Sequence, residues 1–258
     1  MKKLLFCILA ITGLLSGCMF QRKDQLQEVL NRGELVIATE GSWIPWTYHD
    51  ENGNLTGFDI EVGQAVAKKL NVKARFVEVN WENIFPGINN GTFDIACNGI
   101  EIIPVRLENN DFTVPYGVIR TVLITRKERT DINKFSDLAG KTVAQADGST
   151  YAMIAEKQGA SIIEESSLEK IFQMLEEGTT DAFLDSSDSF YEYMKHHPDK
   201  PFKIVAFSKR FSPIAIPLRK GQKNDALRQA LNAAILELSQ EGVLSEISEK
   251  YFGNDITQ

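Results

Sequence analysis

Twice along this chain, short strand patterns alternate with amphipathic helix patterns across connections of only a few residues. That alternation leaves little room for anything but mostly parallel sheets covered by helices. In the first run, 34–39 reads as a strand, 73–79 as a second and 93–97 as a third. Between them, 59–70 is a helix with apolar residues at Ile60, Val62, Ala65, Val66, Ala67 and Leu70, and 81–89 is a helix stopped by Gly91. A helix over 25–31 ending at Gly33 precedes this run, and 46–55 reads as a hairpin turning at Asn52-Gly53-Asn54. The second run has strands at 117–126, 142–145, 161–164, 182–185 and 202–205, with helices at 149–158, 166–177 and 187–196. Ser166 and Glu169 are spaced like a capping box. The tail holds a strand over 212–218 and helices over 224–241 and 243–251. No Gly/Ser linker separates the two runs. The expected fold class is therefore α/β, with two intimately joined lobes, each a mostly parallel sheet flanked by helices.

The first residues stand apart from that pattern. Lys2 and Lys3 precede an apolar stretch of 14 residues, 4–17. A membrane-spanning helix needs about 20, whereas the core of a signal peptide is of this length. The stretch ends in Leu15-Ser16-Gly17-Cys18, which resembles a bacterial lipobox. Residues 1–17 are accordingly read as a signal peptide, Cys18 as the lipidation site and 18–23 as a lipidated tether. Two or more acyl chains on Cys18 would anchor the protein stably, where one gives only marginal binding. Of the three cysteines, Cys7 leaves with the leader and Cys18 is acylated, so Cys97 stands alone in an apolar strand pattern as a buried, inert thiol. The 28 Lys+Arg against 35 Asp+Glu give a net charge of −7, about −9 once Lys2 and Lys3 are removed, which argues against a nucleic-acid partner. No Ser/His/Asp or Cys/His constellation is apparent, no cofactor is called for, and His196-His197 beside Pro198-Asp199 reads as a solvated helix end rather than a metal site.

Ligands of open α/β sheets bind at the carboxyl ends of the strands. The loops to watch are 40–45, 80–81, 98–106, 147–150 and 185–188. They hold Trp43 and Trp81, an Arg after a strand, and Gly148-Ser149-Thr150 at a helix start. A Ser/Thr-rich helix N-terminus favours anions, Arg grips a carboxylate bidentately, and aromatic walls complete a pocket for a small zwitterion.

Gly57-Phe58-Asp59-Ile60-Glu61-Val62 followed by Val66-Ala67 and Leu70 resembles the signature of bacterial extracellular solute-binding proteins for polar amino acids. Further matches run in order: Arg32-Gly33-Glu34-Leu35, Glu40-Gly41-Ser42-Trp43-Ile44-Pro45-Trp46, the segment from Asp94 to Arg106, Asp111-Phe112-Thr113-Val114-Pro115-Tyr116, Asp137-Leu138-Ala139-Gly140-Lys141, and Gly242-Val243 through Lys250-Tyr251-Phe252-Gly253. The C-terminal stretch from Ser248 to Thr257, with Thr39-Glu40-Gly41, looks most like the cystine-binding branch.

The resemblance implies a two-lobed periplasmic-binding-protein clamshell, with lobe one at 24–115 and 212–258, lobe two at 119–207, and hinge crossings near 115–118 and 207–211. It implies a monomeric, non-enzymatic receptor. The receptor captures an amino acid outside the cytoplasmic membrane, on its periplasmic side or outer face, and delivers it to an ABC permease. Residue by residue, Arg106 matches the Arg that grips the ligand α-carboxylate, Ser149 and Thr150 match donors that share it, Trp43 and Trp81 match aromatic walls, and Gly99 matches a backbone contact near the amine. Two positions depart from the family: Glu101 stands where Thr or Ser is usual, and Ser186 stands where an Asp binds the α-amino group. Glu101 is therefore expected to replace the missing carboxylate as the ammonium partner, with Asp185 or Asp188 as the alternative. With Arg106 and Glu101 both in lobe one, the ligand is expected to dock there before lobe two closes. The rival reading is a secreted enzyme of the same fold, similar to cyclohexadienyl dehydratases, with Glu101 as a general acid.

Overall fold

The computed structural model describes residues 24–257. The leader, Cys18 and the tether before Asp24 lie outside the described residues. From the N-terminal side come α1 (Gln25–Arg32), β1 (Glu34–Thr39), the hairpin strands β2 (Tyr48–His49) and β3 (Leu55–Thr56), and α2 (Phe58–Lys69). They are followed by β4 (Lys73–Glu78), α3 (Trp81–Asn90), β5 (Ile95–Ala96), α4 (Pro104–Asn109) and β6 (Asn110–Phe112). The middle of the chain is β7 (Gly117–Ile119), β8 (Thr121–Arg126), β9 (Thr142–Gln145), α5 (Thr150–Lys157), β10 (Ser161–Glu164) and α6 (Leu168–Glu177). Then come β11 (Phe183–Ser186), α7 (Ser187–His196), β12 (Phe202–Phe207), β13 (Ser212–Ile214), β14 (Pro217–Arg219), α8 (Asp225–Gln240) and α9 (Val243–Phe252).

The first sheet has the order β4-β1-β5-β14-β6. β4, β1 and β5 are mutually parallel, while β14 runs antiparallel to both β5 and β6. Four strands thus point one way and the fourth in order points the other. The second body repeats this arrangement. β10 and β9 are parallel, an isolated parallel bridge from Val143 to Ala182 carries the sheet on to β11, and β8 lies antiparallel to β11 and β12. The expectation of two α/β lobes with mostly parallel sheets is met.

The central strands of both sheets are buried on both faces, as expected where helices cover a mostly parallel sheet. In β1, Leu35 and Ile37 pack with Val62, Val66, Leu231 and Leu244 of α2, α8 and α9, whereas Val36 and Ala38 pack with Ile84 and Ile88 of α3. In β8, Val122 and Ile124 join Phe172, Leu175 and Phe183, and Leu123 joins Val143, Ala155 and Leu184 on the other face. Cys97 is fully buried in the first core, and burial pushes its thiol well up.

The strands expected over 117–126 and 212–218 each break in two. β7 and β13 pair with each other, Ser212 opposite Ile119 and Ile214 opposite Gly117, so the chain passes between the two sheets along an antiparallel ribbon. β8 and β14 then belong to different sheets. The loop expected over 98–106 contains the start of α4, with Pro104 in its first turn. The cap of α6 is Ser167 rather than Ser166: the Ser167 hydroxyl accepts from the Lys170 amide at 3.5 Å.

Candidate ligand-binding site

The carboxyl ends of β1, β5, β9 and β11 face one another across a cleft with about 610 Å³ of open space. Glu40 and Trp43 follow β1, and Trp43 exchanges backbone hydrogen bonds of 2.7 and 2.8 Å with Thr47. That tight closure stacks the Trp43 indole on the buried Trp46 ring at 5.2 Å. Trp81 enters from the N-terminus of α3 and Asn98, Gly99 and Glu101 from the segment after β5. From the second sheet come Gln145, the α5 cap Ser149, Thr150 and Tyr151, together with Asp185 at the end of β11. Leu168, Ile171 and Phe183 supply an apolar wall.

Gly99 is a glycine for a physical reason. Its φ is +56°, and a Cβ there would lie 2.6 Å from the Trp43 ring. Its amide donates to the Asp59 carboxylate, which also accepts from the Tyr116 hydroxyl at 2.8 Å. Gly99→Ala is expected to destabilise the protein by about 1–3 kcal/mol through backbone strain and displacement of Trp43. Thermal melts will check the stability loss and quenching of Trp fluorescence the displaced indole.

Among the described residues, three side-chain hydrogen bonds join the two bodies, two across the cleft and one, Trp46 to Ser186, buried beside it. Trp43 Nε1 donates to Asp185 Oδ1 at 3.2 Å, Trp46 Nε1 to Ser186 Oγ at 3.3 Å, and Thr150 Oγ1 to Glu101 Oε2 at 2.7 Å. Arg106 sits directly behind Glu101. Its Nη1 donates to the Glu101 carbonyl at 3.0 Å and lies 3.6 Å from the Glu101 carboxylate. The guanidinium is held over the rings of Trp81 and Phe85, 5.1 and 5.3 Å from their centroids.

Buried polar atoms in folded proteins nearly always have partners. Among the described residues, five buried side-chain atoms have none, and four of them are at this cleft: Glu101 Oε1, Arg106 Nη2, Tyr151 OH and Asp185 Oδ2. Burial drives the titration of the site. It pushes the Asp185 carboxyl up to about 7 against the opposing hydrogen bonds from the Ser186 amide and Trp43. It likewise takes Glu40 to about 7 despite the bond from Asn98. Burial also raises Glu101, offset by the Arg106 charge and the Thr150 hydroxyl, and lowers Arg106, offset by Glu101.

The residues expected from sequence mostly converge here. Trp43, Trp81, Gly99, Glu101, Ser149 and Thr150 line the cleft, and Arg106 backs it. Ser186 does not line it. Its hydroxyl accepts from Trp46 and from the Ser189 amide, capping α7, and the preceding Asp185 takes the cleft position. The Gly99 amide is committed to Asp59, so it offers no free donor at the amine end. Glu101 is held against Arg106 and Thr150, on the side expected to receive a carboxylate. Glu40 and Asn98 lie in loops singled out from sequence but were not named as site residues, and Gln145 and Tyr151 were missed; Gln145 ends β9, whereas Tyr151 sits in the first turn of α5, next to the expected Thr150.

A two-lobed α/β body with a charged, aromatic-walled cleft between its sheets defines the class of hinged solute-binding proteins. The chain belongs to the bacterial extracellular solute-binding proteins, family 3, whose model matches residues 35–254. It is 34% identical to a probable amino-acid ABC transporter-binding protein of Haemophilus influenzae over 100% of both chains. It is 31% identical to the L-cystine-binding protein TcyA of Bacillus subtilis, over 98% of this chain and 97% of that one. Among solved structures, an ancestral arginine-binding protein bound to arginine superposes with a TM-score of 0.80 at 33% identity, covering 86% of this chain and 99% of that one. These relatives carry the names of binding proteins. Among the described residues, no helix is long and apolar enough to cross a membrane.

Proposed function

We propose that this protein is the amino-acid-binding component of an ABC importer, a monomer tethered outside the cytoplasmic membrane through lipid on Cys18, which binds its ligand and releases it to a permease without catalysing a reaction. The carrying observation is the set of unpartnered buried atoms, a guanidinium nitrogen at one place and a carboxylate oxygen at another, which matches the two charged ends of an amino acid. In this reading Arg106 and the Ser149-Thr150 turn receive the α-carboxylate, Asp185 takes the α-ammonium, and Trp43 and Trp81 flank the side chain. The lobes, 24–115 with 212–258 against 119–207, close about crossings near 115–118 and 207–211. Family relatives bring cystine and arginine into the set of candidate ligands.

A thermal-shift screen of the purified protein against L-amino acids and cystine tests the reading. A ligand at 100 times its Kd adds about 2.7 kcal/mol of stability, and no shift with any amino acid rejects the proposal. Asp185→Asn is expected to weaken binding of the ligand so found by about 30-fold or more, the loss of one charge-assisted contact. Titration calorimetry reads this directly. An unchanged affinity would remove Asp185 from the ammonium site.

A further inference from the structure

We propose, resting on the amino-acid-binding reading, that Glu101 is a built-in carboxylate that occupies the anion clamp formed by Arg106 and Thr150, so that the lobes can latch without ligand and the ligand's own carboxylate must displace it.

The geometry is that of an internal stand-in. A carboxylate in this clamp should meet the Arg106 guanidinium on one side and the hydroxyl at the start of α5 on the other. Glu101 Oε2 does both, 2.7 Å from Thr150 Oγ1 and 3.6 Å from Arg106 Nη1. Glu101 belongs to the first lobe and Thr150 to the second, so this single side chain ties the two together. All three side chains are almost wholly removed from solvent. The fit is incomplete: Glu101 Oε1 and Arg106 Nη2 both lack partners, so the clamp is filled by a group tethered slightly out of place. A free α-carboxylate carries no such tether and can present both oxygens to the guanidinium fork.

The backbone of Glu101 is not free to swing the carboxylate aside. Glu101 forms an antiparallel bridge with Ile214, and the flanking bonds from Ile102 N to Pro213 O and from Ala215 N to Ile100 O are 2.9 and 3.0 Å. Those partners lie on and just after β13, one of the two strands that pass between the lobes. Displacement must therefore occur by side-chain rotation, or by moving Thr150 away as the lobes open. Either route makes Glu101 an opponent of the ligand rather than its ammonium partner. The Asp185 carboxylate, with its unpartnered Oδ2, remains for that role.

The test uses Glu101→Gln, which keeps the shape and an acceptor for Thr150 but removes the charge, and Glu101→Thr, which removes the reach. L-arginine, L-glutamine and L-cystine serve as probes for each protein by calorimetry, with melts to show that the variants are folded; one folded variant suffices. Small-angle scattering is recorded with and without the probe that binds. The expected result is affinity raised by about tenfold or more in the variants. The free wild type should scatter like its liganded form, whereas a free variant contracts on binding. Equal or weaker binding by the folded variants, or a wild type that contracts as much as they do, overturns the proposal. Failure of every probe and of the full amino-acid screen, in wild type and variants alike, rejects the amino-acid reading instead.

Discussion

Arg106→Gln is expected to abolish most amino-acid binding and to destabilise the fold, and the two losses have different origins. Removing the fork proposed to meet the α-carboxylate should cost on the order of 2–5 kcal/mol, about 30- to several-thousand-fold in affinity. Among the described residues Arg106 is the one cation packed on Glu101, so its removal leaves a buried carboxylate whose remaining side-chain partner is Thr150. Breaking one partner of a buried pair costs about 3–5 kcal/mol, because the remaining charge is uncompensated. Glu101 can reduce that cost by taking up a proton, so the stability loss should be larger at pH 8 than at pH 5. The double variant Arg106→Gln, Glu101→Gln separates the effects. It should recover most of the stability and none of the binding. Denaturant melts at two pH values and calorimetry on the three proteins check this; a double variant that binds like wild type would remove Arg106 from the site.

The stability of the ligand-free protein should fall as pH rises from about 5 to about 7. Glu40, Asp59 and Asp185 each titrate near 7 in the folded state because burial penalises their charged forms. In the unfolded chain such groups titrate near 4. Below pH 4 both states hold these protons. Between about 4 and 7 the folded state keeps protons that the unfolded state has released, so folding binds protons and stability declines with rising pH. Above 7 the slope from these groups vanishes. Carboxylates held low by partners, such as Asp181 beside Arg129 and the Thr142 amide, work in the opposite sense and are lost only in acid. The optimum should therefore fall near pH 4.5–5. With roughly several kcal/mol at stake, the melting temperature should drop by about 10 °C between pH 5 and pH 8. Calorimetric scans across that range check it, and a flat or rising profile would contradict the buried carboxylates.

Much of the architecture was legible because its causes are local. Gly33, Gly91 and Gly178 stop α1, α3 and α6 in the left-handed conformation, and such stops show in sequence as glycine after an amphipathic stretch. The doubly buried strands showed as near-continuous apolar runs. What escaped was set by tertiary context. Nothing local marks where 212–218 leaves the crossing ribbon and joins the first sheet, since both halves are apolar and extended. α4 is six residues long and too short for a periodic signal, although Pro104 at its start was a clue. In the site, the loops at strand ends were the right places to look. Asp185 and Ser186 are adjacent at the end of a strand, so a one-residue change of position decides which lines the cleft. The match to relatives pointed to Ser186, and the helix cap needed by α7 claimed it.

The insertion of β14 between β5 and β6 also orders the assembly of the molecule in time. The second sheet is built from one unbroken stretch between β8 and β12, so its contacts are available as soon as that stretch has been synthesised. The first sheet cannot join its β6 edge to β5 until residues 217–219 arrive from beyond the whole second body. Closing so long a loop is slow relative to the local pairings that precede it. The nascent chain thus carries a half-finished sheet, kept open by its own topology, until residues 217–219 have been made.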